Sequence, residues 1–330
     1  MSSRRDVLIV SLGATAGLRE ADDELAASLR RAGATVAVVV TKRAPTVRTF
    51  ALTDLLWAGA ARRAAVGAPA ARAVVYSSVT AALLWPHRGA IRFDAPAAGN
   101  RPGRHGLWQR PLERRRLVGA PLLAPWSELA LAEVPQPHAP VVVVPVPVEP
   151  SGPAAQRDLA AITYAADPAK KGLDRVLAAW SRARRQGEEL IVVGVSREEA
   201  PSHVGNIATR TAGVRFVAQL PRAEYRALLR RARVFVTAPR REDHGIAQLE
   251  ALADGVQLLT TPAPGPYVAL PLARALDPRL ATADLVSGFR AALDEPVPGY
   301  AERATEVMAP FRRRAVDAIV VERLLPALLA

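Results

Sequence analysis

The stretch Ala238–Gly255 reads Ala-Pro-Arg-Arg-Glu-Asp-His-Gly-Ile-Ala-Gln-Leu-Glu-Ala-Leu-Ala-Asp-Gly. It carries the residue types best suited to chemistry. Glu242 stands just before a predicted helix and Glu250 lies within it, eight residues on. If the whole span were helical, the rise between them would be ~12 Å, comparable to a sugar–diphosphate–ribose unit. A carboxylate only accepts hydrogen bonds and can take two neighbouring hydroxyls. The pair therefore suits the two ends of a nucleotide sugar. Between them, the amides of His244, Gly245 and Ile246 open the helix, where unsatisfied N–H groups attract anionic oxygens. The competing reading is an acidic complement to the helix dipole followed by a solvated glutamate.

A second cluster lies at Ile162-Thr-Tyr-Ala-Ala-Asp-Pro-Ala-Lys-Lys-Gly-Leu-Asp174. The chain has 44 Lys and Arg in total but only three lysines: Lys42, Lys170 and Lys171. The segment follows a strand and opens a helix, so it sits at the carboxyl edge of a sheet. Paired cations at a helix start oppose the helix dipole. That local cost suggests a compensating anion such as a diphosphate, held by Lys170, Lys171 and Gly172. The alternative is a solvated basic turn.

The elements that position these residues follow from a recurring pattern: a short apolar run, a small-residue turn, then a helical stretch. Such alternation predicts parallel sheets covered by helices. In the first half, strands are expected at Val7–Leu12, Thr35–Val40, Ala73–Tyr76, Ala90–Phe93, Pro121–Ala124 and Val141–Val144, with a helix over Gly17–Gly33. In the second half they are expected at Leu159–Tyr164, Leu190–Val195, Val214–Val217, Val234–Ala238 and Val256–Thr260. Helices fall at Gly172–Arg185, Arg222–Ala232 and Ile246–Ala253. The tail from Gly299 forms one or two amphipathic helices. The proline-rich link 145–153 cannot be helical and marks a boundary. The expectation is an α/β chain of two tandem, Rossmann-like, doubly wound domains, 1–150 and 151–300, with ligands at the carboxyl ends of the sheets.

Composition narrows the chemistry. At 330 residues the chain is at the upper edge of a single core. It has no cysteine, which excludes disulfides, cysteine-bound zinc, iron–sulfur clusters and a thiol nucleophile. The net charge of +13 points to anionic partners without choosing among them. The apolar run Val7–Leu12 is too short for a signal peptide, and no run reaches transmembrane length. A cytoplasmic protein is expected.

Lys171-Gly172, the Ile191–Gly194 strand, Val214–Val217, Val234–Ala238 and Glu242-x7-Glu250 with Gly245 and Gly255 occur in a telling order. They resemble retaining GT-B glycosyltransferases of family four, over roughly Leu159–Leu285. The resemblance implies a GT-B fold whose C-terminal helix, 301–330, packs back on the first domain. It implies a metal-independent hexosyltransferase acting on a nucleotide sugar, with no cofactor. Lys171 would hold the donor diphosphate, Glu242 the hydroxyls of the transferred sugar, and Glu250 the ribose. Amides of His244, Gly245 and Ile246 would contact sugar or phosphate. The leaving phosphate would help deprotonate the acceptor, whose identity (glycan, lipid or small molecule) is open. The family's Gly-Arg before the Lys-Gly turn is replaced by Ala165-Ala166, so Lys170 or another arginine would have to stand in. A histidine near the reacting sugar is replaced in Ile91-Arg-Phe-Asp-Ala-Pro96, where Asp94 is the nearest catalytic candidate or else a turn residue.

The remaining candidates are weaker. His87, His105, His138, His203 and His244 lack metal-ligand spacing. Gly13-Ala-Thr-Ala-Gly17 is not a dinucleotide fingerprint; in a GT-B protein Gly13, Ala14, Thr15 and Gly17 would instead face the acceptor. The stretch Arg101–Arg116 mixes Leu107, Trp108 and Leu112 with six arginines. It suits an anionic membrane or acceptor, or is a solvated helix face; nucleic acid is not expected. Base contacts are expected near Val195 and Val217–Gln219. The alternative to an enzyme is a non-catalytic nucleotide- or polyanion-binding protein on the same fold.

Overall fold

The computed structural model describes residues 4–330 except 43, 44, 46, 48, 101, 102, 137, 206 and 208–211. Arg101, the start of the arginine-rich stretch, lies outside the described residues. The chain divides into two compact units. The first comprises Met1–Pro147 and Pro310–Ala330, the second Val148–Ala309.

The first unit is built on five parallel strands: β1 (Arg5–Ser11), β2 (Val36–Val40), β3 (Ala71–Tyr76), β4 (Ala90–Phe93) and β5 (Leu123–Pro125), in the order β2-β1-β3-β4-β5. Its main helices are α1 (Ala16–Arg31), α2 (Phe50–Val66) and α3 (Gln109–Gly119). Side chains alternate across a strand, so β1 feeds both faces. Val7 and Ile9 join Leu25 and Leu29 of α1 and Val316, Val320 and Leu324 of the C-terminal segment. Leu8 and Val10 join Ala61 and Ala65 of α2 and Leu117 of α3. One face is thus covered by α1 and the tail, the other by α2 and α3.

Val141–Val144, expected as a sixth strand, is not one. Only Val141 forms an isolated bridge, to Leu123. The amides of Val142 and Val144 do donate to the carbonyls of Leu123 and Pro125, each at 2.9 Å. Pro140 and Pro145 have no N–H with which to extend that ladder.

The second unit repeats the architecture with β6 (Leu159–Tyr164), β7 (Leu190–Val193), β8 (Val214–Val217), β9 (Ala232–Thr237) and β10 (Gln257–Thr260). They are parallel in the order β10-β9-β6-β7-β8. Three helices matter to the site: α4 (Leu173–Ala183), α5 (Arg222–Arg231) and α6 (Ile246–Ala253). The chain runs outward from β6 through β7 to β8, then returns to place β9 on the other side of β6. The strand order reverses at the β6–β9 pair, the kind of switch point where open α/β sheets bind ligands.

The tail expected over 301–330 divides. Tyr300–Val307 packs within the second unit, against α6. The helix Arg313–Ile319, the π-turn Val320–Leu324 and Leu325–Leu329 belong to the first. There Asp317 accepts from Arg31 Nε at 2.7 Å and Arg313 reaches Glu24 at 3.0 Å, which locks the tail to α1. Among the described residues no helix is long and apolar enough to cross a membrane.

At the switch point the loops after β6 and β9 touch. Gly172 has φ +65°, and a Cβ built on it would stand 1.9 Å from the carbonyl oxygen of Ala238. Only glycine meets both demands. Gly172→Ala should lower the stability of the second unit by about 1–3 kcal/mol from backbone strain alone, with more from the clash. Urea denaturation followed by circular dichroism measures this, and an unchanged midpoint would refute the close approach.

Candidate active site

The two sequence clusters meet at this edge. Lys171 Nζ lies 2.6 Å from Glu242 Oε2, with the carboxylate 6% and the lysine 21% exposed. Gln248, in the first turn of α6, donates to the same oxygen from 2.8 Å. Lys170 Nζ reaches Asp243 Oδ2 at 3.0 Å, and Arg241 Nε reaches Asp243 Oδ1 at 2.7 Å. Burial pushes the Asp243 carboxyl up, but Lys170 and Arg241 outweigh it and hold it below its usual range. Within the chain, Glu242 and Asp243 supply countercharge to the lysine pair.

The loops are also tied by Arg240. Its amide donates to the Lys170 carbonyl at 2.9 Å. Its guanidinium makes a two-pronged contact with Asp174, at 2.9 and 2.8 Å, and a third bond to the Ala169 carbonyl at 3.0 Å. Glu242 is fixed from behind as well, since its amide donates to the Pro264 carbonyl at 3.1 Å.

Gly245 caps α6 in the left-handed region, at φ +90°. Ile246 is the first helical residue, so Glu242 precedes the helix on an irregular loop and the ~12 Å helical rise does not apply. The turn carries the backbone of His244, Gly245 and Ile246 past the buried Tyr267, whose ring would crowd a Cβ on Gly245 at 3.0 Å. Burial raises the Tyr267 hydroxyl well above its usual range; it shares a 2.7 Å hydrogen bond with Thr260. Tyr267 is thus a neutral wall of the turn.

Glu250 stands apart, in a guanidinium clamp. Its Oε1 accepts from Arg222 Nη2 at 2.6 Å and Nε at 3.0 Å, and from Arg226 Nη1 at 3.3 Å. Arg226, only 5% exposed, also binds Asp254 at 2.9 Å and the Glu149 carbonyl at 3.0 Å. Sequence reasoning missed Gln248, Arg222, Arg226 and Arg240. Gln248 sits within the motif that was read, two residues before Glu250, and its amide type was a usable signal. The arginines lie among many others and carried none.

Ala165 and Ala166, at the place of the missing Gly-Arg, pack against Gly194. A Cβ there would stand 2.8 Å from the Ala166 amide nitrogen. Ala165 is itself buried.

The first-unit candidates occupy the carboxyl edge of its own sheet. Gly13 (φ +56°) and Ala14 form the turn after β1, Thr15 caps α1 by accepting from the Leu18 amide at 3.2 Å, and Gly17 is already helical. Asp94 follows β4 and accepts from the Ala95 amide at 2.9 Å, the geometry of a turn residue. Next to it is a residue the sequence did not flag. Arg92 points from β4 into the α1-covered face, 4.9 Å from the Trp126 ring centroid. Burial brings its guanidinium down to about 10, against the pull of Asp22 and Asp94. Burial likewise pushes the Asp22 carboxyl up, while Ser11, bonded to it at 2.5 Å, and Arg92 oppose the shift.

Solved structures match this architecture along nearly its full length. Sucrose-phosphate synthase from Thermosynechococcus elongatus is 15% identical with a TM-score of 0.74, over 98% of this chain and 100% of that one. WaaG, a glycosyltransferase involved in lipopolysaccharide biosynthesis, is 16% identical with a TM-score of 0.70, over 95% and 99%. The trehalose 6-phosphate synthase of Burkholderia multivorans is 12% identical with a TM-score of 0.65, over 99% and 98%. No curated protein matches the chain in sequence. Two parallel α/β units and a helical C-terminus of this kind make a GT-B fold. Residues 158–315 match the family model "Glycosyl transferases group 1", and the chain is a glycosyltransferase.

The Asp243 cluster makes a pH prediction. Its folded-state pKa is depressed below the ordinary 3.8. The pairing therefore stabilises the fold fully above that pH and is lost as pH falls through the lowered value. Asp243→Asn should flatten the acid limb of thermal midpoint against pH below about 4. An acid limb as steep as in the wild type would remove Asp243 from the network.

Proposed function

We propose that the enzyme transfers a hexosyl group from a nucleotide sugar to an acceptor with retention at the anomeric carbon, and without a metal. The observation that supports this reading best is the Lys171–Glu242 pair at the β6–β9 switch point. A diphosphate arriving there competes for Lys171 and leaves Glu242 free to accept from hydroxyls of the donor sugar. Lys170 serves as the second cation where Ala165 and Ala166 replace the family's arginine. Amides of His244, Gly245 and Ile246 complete the anion's partners, and Gly172 keeps the lysine turn close. Glu250 takes the ribose, held in one orientation by Arg222 and Arg226.

In the proposed step the bond between C1 and the diphosphate oxygen breaks. That oxygen takes the proton of the acceptor hydroxyl, whose oxygen bonds C1 from the same face. The charge that develops on the diphosphate is met by Lys171, Lys170 and the helix-start amides, the kind of preorganised stabilisation that dominates many enzymatic rates. Because cations of the chain meet that charge, the reading assigns no resident metal or cofactor. The turn of Gly13, Ala14, Thr15 and Gly17, at the carboxyl edge of the first sheet, is assigned to the acceptor, and Asp94, at the same edge, is the catalytic candidate in place of the family's histidine. The reading places the reaction in the cytoplasm.

Glu242→Gln keeps the shape and the Gln248 contact but removes the charge. It and Lys171→Ala should each lower transfer by at least about a hundredfold while circular dichroism stays native. Transfer or slow donor hydrolysis over a nucleotide-sugar panel measures this; near-normal turnover in both variants would defeat the assignment. Thermal shift with UDP, GDP and ADP gives an independent check. A response to heparin and to no nucleotide would instead describe a non-catalytic polyanion binder.

A further inference from the structure

The two units differ sharply in surface character. The first has 23 Lys and Arg against 12 Asp and Glu, a net +11; the second has 21 against 19, a net +2. Among the described residues, every large apolar side chain that is exposed also belongs to the first unit: Val40, Phe50, Leu52, Leu55, Val66, Leu107, Val118, Leu129 and Val321. Excess charge and exposed hydrocarbon therefore share one unit.

They also share one layer. α2 and α3 cover the same face of the first sheet through Ala61, Ala65 and Leu117. The outward side of α2 carries Leu52, Leu55, Arg62, Arg63 and Val66, and its one acid, Asp54, is buried. The outward side of α3 carries Arg110, Arg114, Arg115 and Val118, and its one acid, Glu113, is buried. α2 packs on the turn Gly103–Gly106, which sets the 65%-exposed Leu107 beside it. Among the described residues, none of these five arginines is in an ion pair. The opposite layer is arranged otherwise: α1 and the tail pair Arg31 with Asp317 and Arg313 with Glu24.

We infer that the α2–α3 layer of the first unit rests on an anionic lipid bilayer. Leucines interleaved with unpaired arginines, and no outward carboxylate, are the makeup of an interfacial surface: side chains enter the headgroup boundary while guanidiniums meet lipid phosphates. A polynucleotide offers the phosphates but no hydrocarbon to receive Leu52, Leu55 and Leu107, and among the described residues Phe50 is the one exposed aromatic side chain of the layer, too few to stack successive bases. The inference is independent of the roles assigned to the donor-site residues.

Flotation of the full chain with phosphatidylcholine vesicles, with and without phosphatidylglycerol, tests it. The chain should float only with the phosphatidylglycerol vesicles. The triple variant Arg110→Gln, Arg114→Gln, Arg115→Gln should lower partitioning roughly a hundredfold. Leu52→Ser with Leu55→Ser should leave binding that salt fully reverses, whereas the wild type retains a salt-resistant part. All substituted side chains are exposed, and circular dichroism confirms that the variants fold. Equal flotation with both vesicles, flotation with neither, or variants that float like the wild type would overturn the inference. Tighter binding to duplex DNA than to the anionic vesicles would overturn it too, in favour of a nucleic-acid surface.

Discussion

The candidate site depends on one contact, that between the loops that follow β6 and β9. Adjacent strands in a parallel sheet deliver their following loops to the same edge, and here the sheet order reverses at that pair. The contact leaves no room for a side chain at Gly172, whose backbone lies against Ala238. Arg240 then bolts the two loops together through the Lys170 carbonyl and Asp174. Lys171 can meet Glu242, 71 residues away in sequence, because the backbone has already brought them together.

The same constraint explains how charge is carried at the site. Each cation aimed at the edge has a carboxylate from the chain: Lys171 has Glu242, Lys170 has Asp243, and Arg222 has Glu250. Half-buried ions left alone would carry a large desolvation penalty. A ligand's oxygens and hydroxyls then replace partners rather than meet bare charge. The clamp on Glu250 is the most buried case, with Arg226 anchored to Asp254 and to the Glu149 carbonyl.

Much of this was legible because it is local. Helix α6 begins and ends where its apolar spacing predicts, at Ile246 and Ala253. All ten described strands overlap the expected runs with ends shifted by no more than two residues; β5, for example, starts two residues late and runs one past Ala124. What was not legible is long-range. Val141–Val144 reads as a strand by composition, but its flanking prolines decide otherwise. Arg92 interrupts an apolar run that reads as buried strand, and Trp126 and Asp22, from two other segments, account for it together with Asp94 just after the strand. Arg222 and Arg226 precede Glu250 by 28 and 24 residues, and nothing local separates them from the other arginines.

The scarcity of lysine has a practical consequence. Two of the three ε-amines in the chain stand at the candidate donor site, one of them 41% exposed, while arginine carries the positive charge elsewhere. Amine-directed acylation or reductive methylation therefore meets a nearly silent background. Isotope-labelled methyl groups on Lys170 and Lys171 would give a two-signal spectroscopic reporter in a 35.1 kDa protein, with Lys42 as a third signal from the first unit.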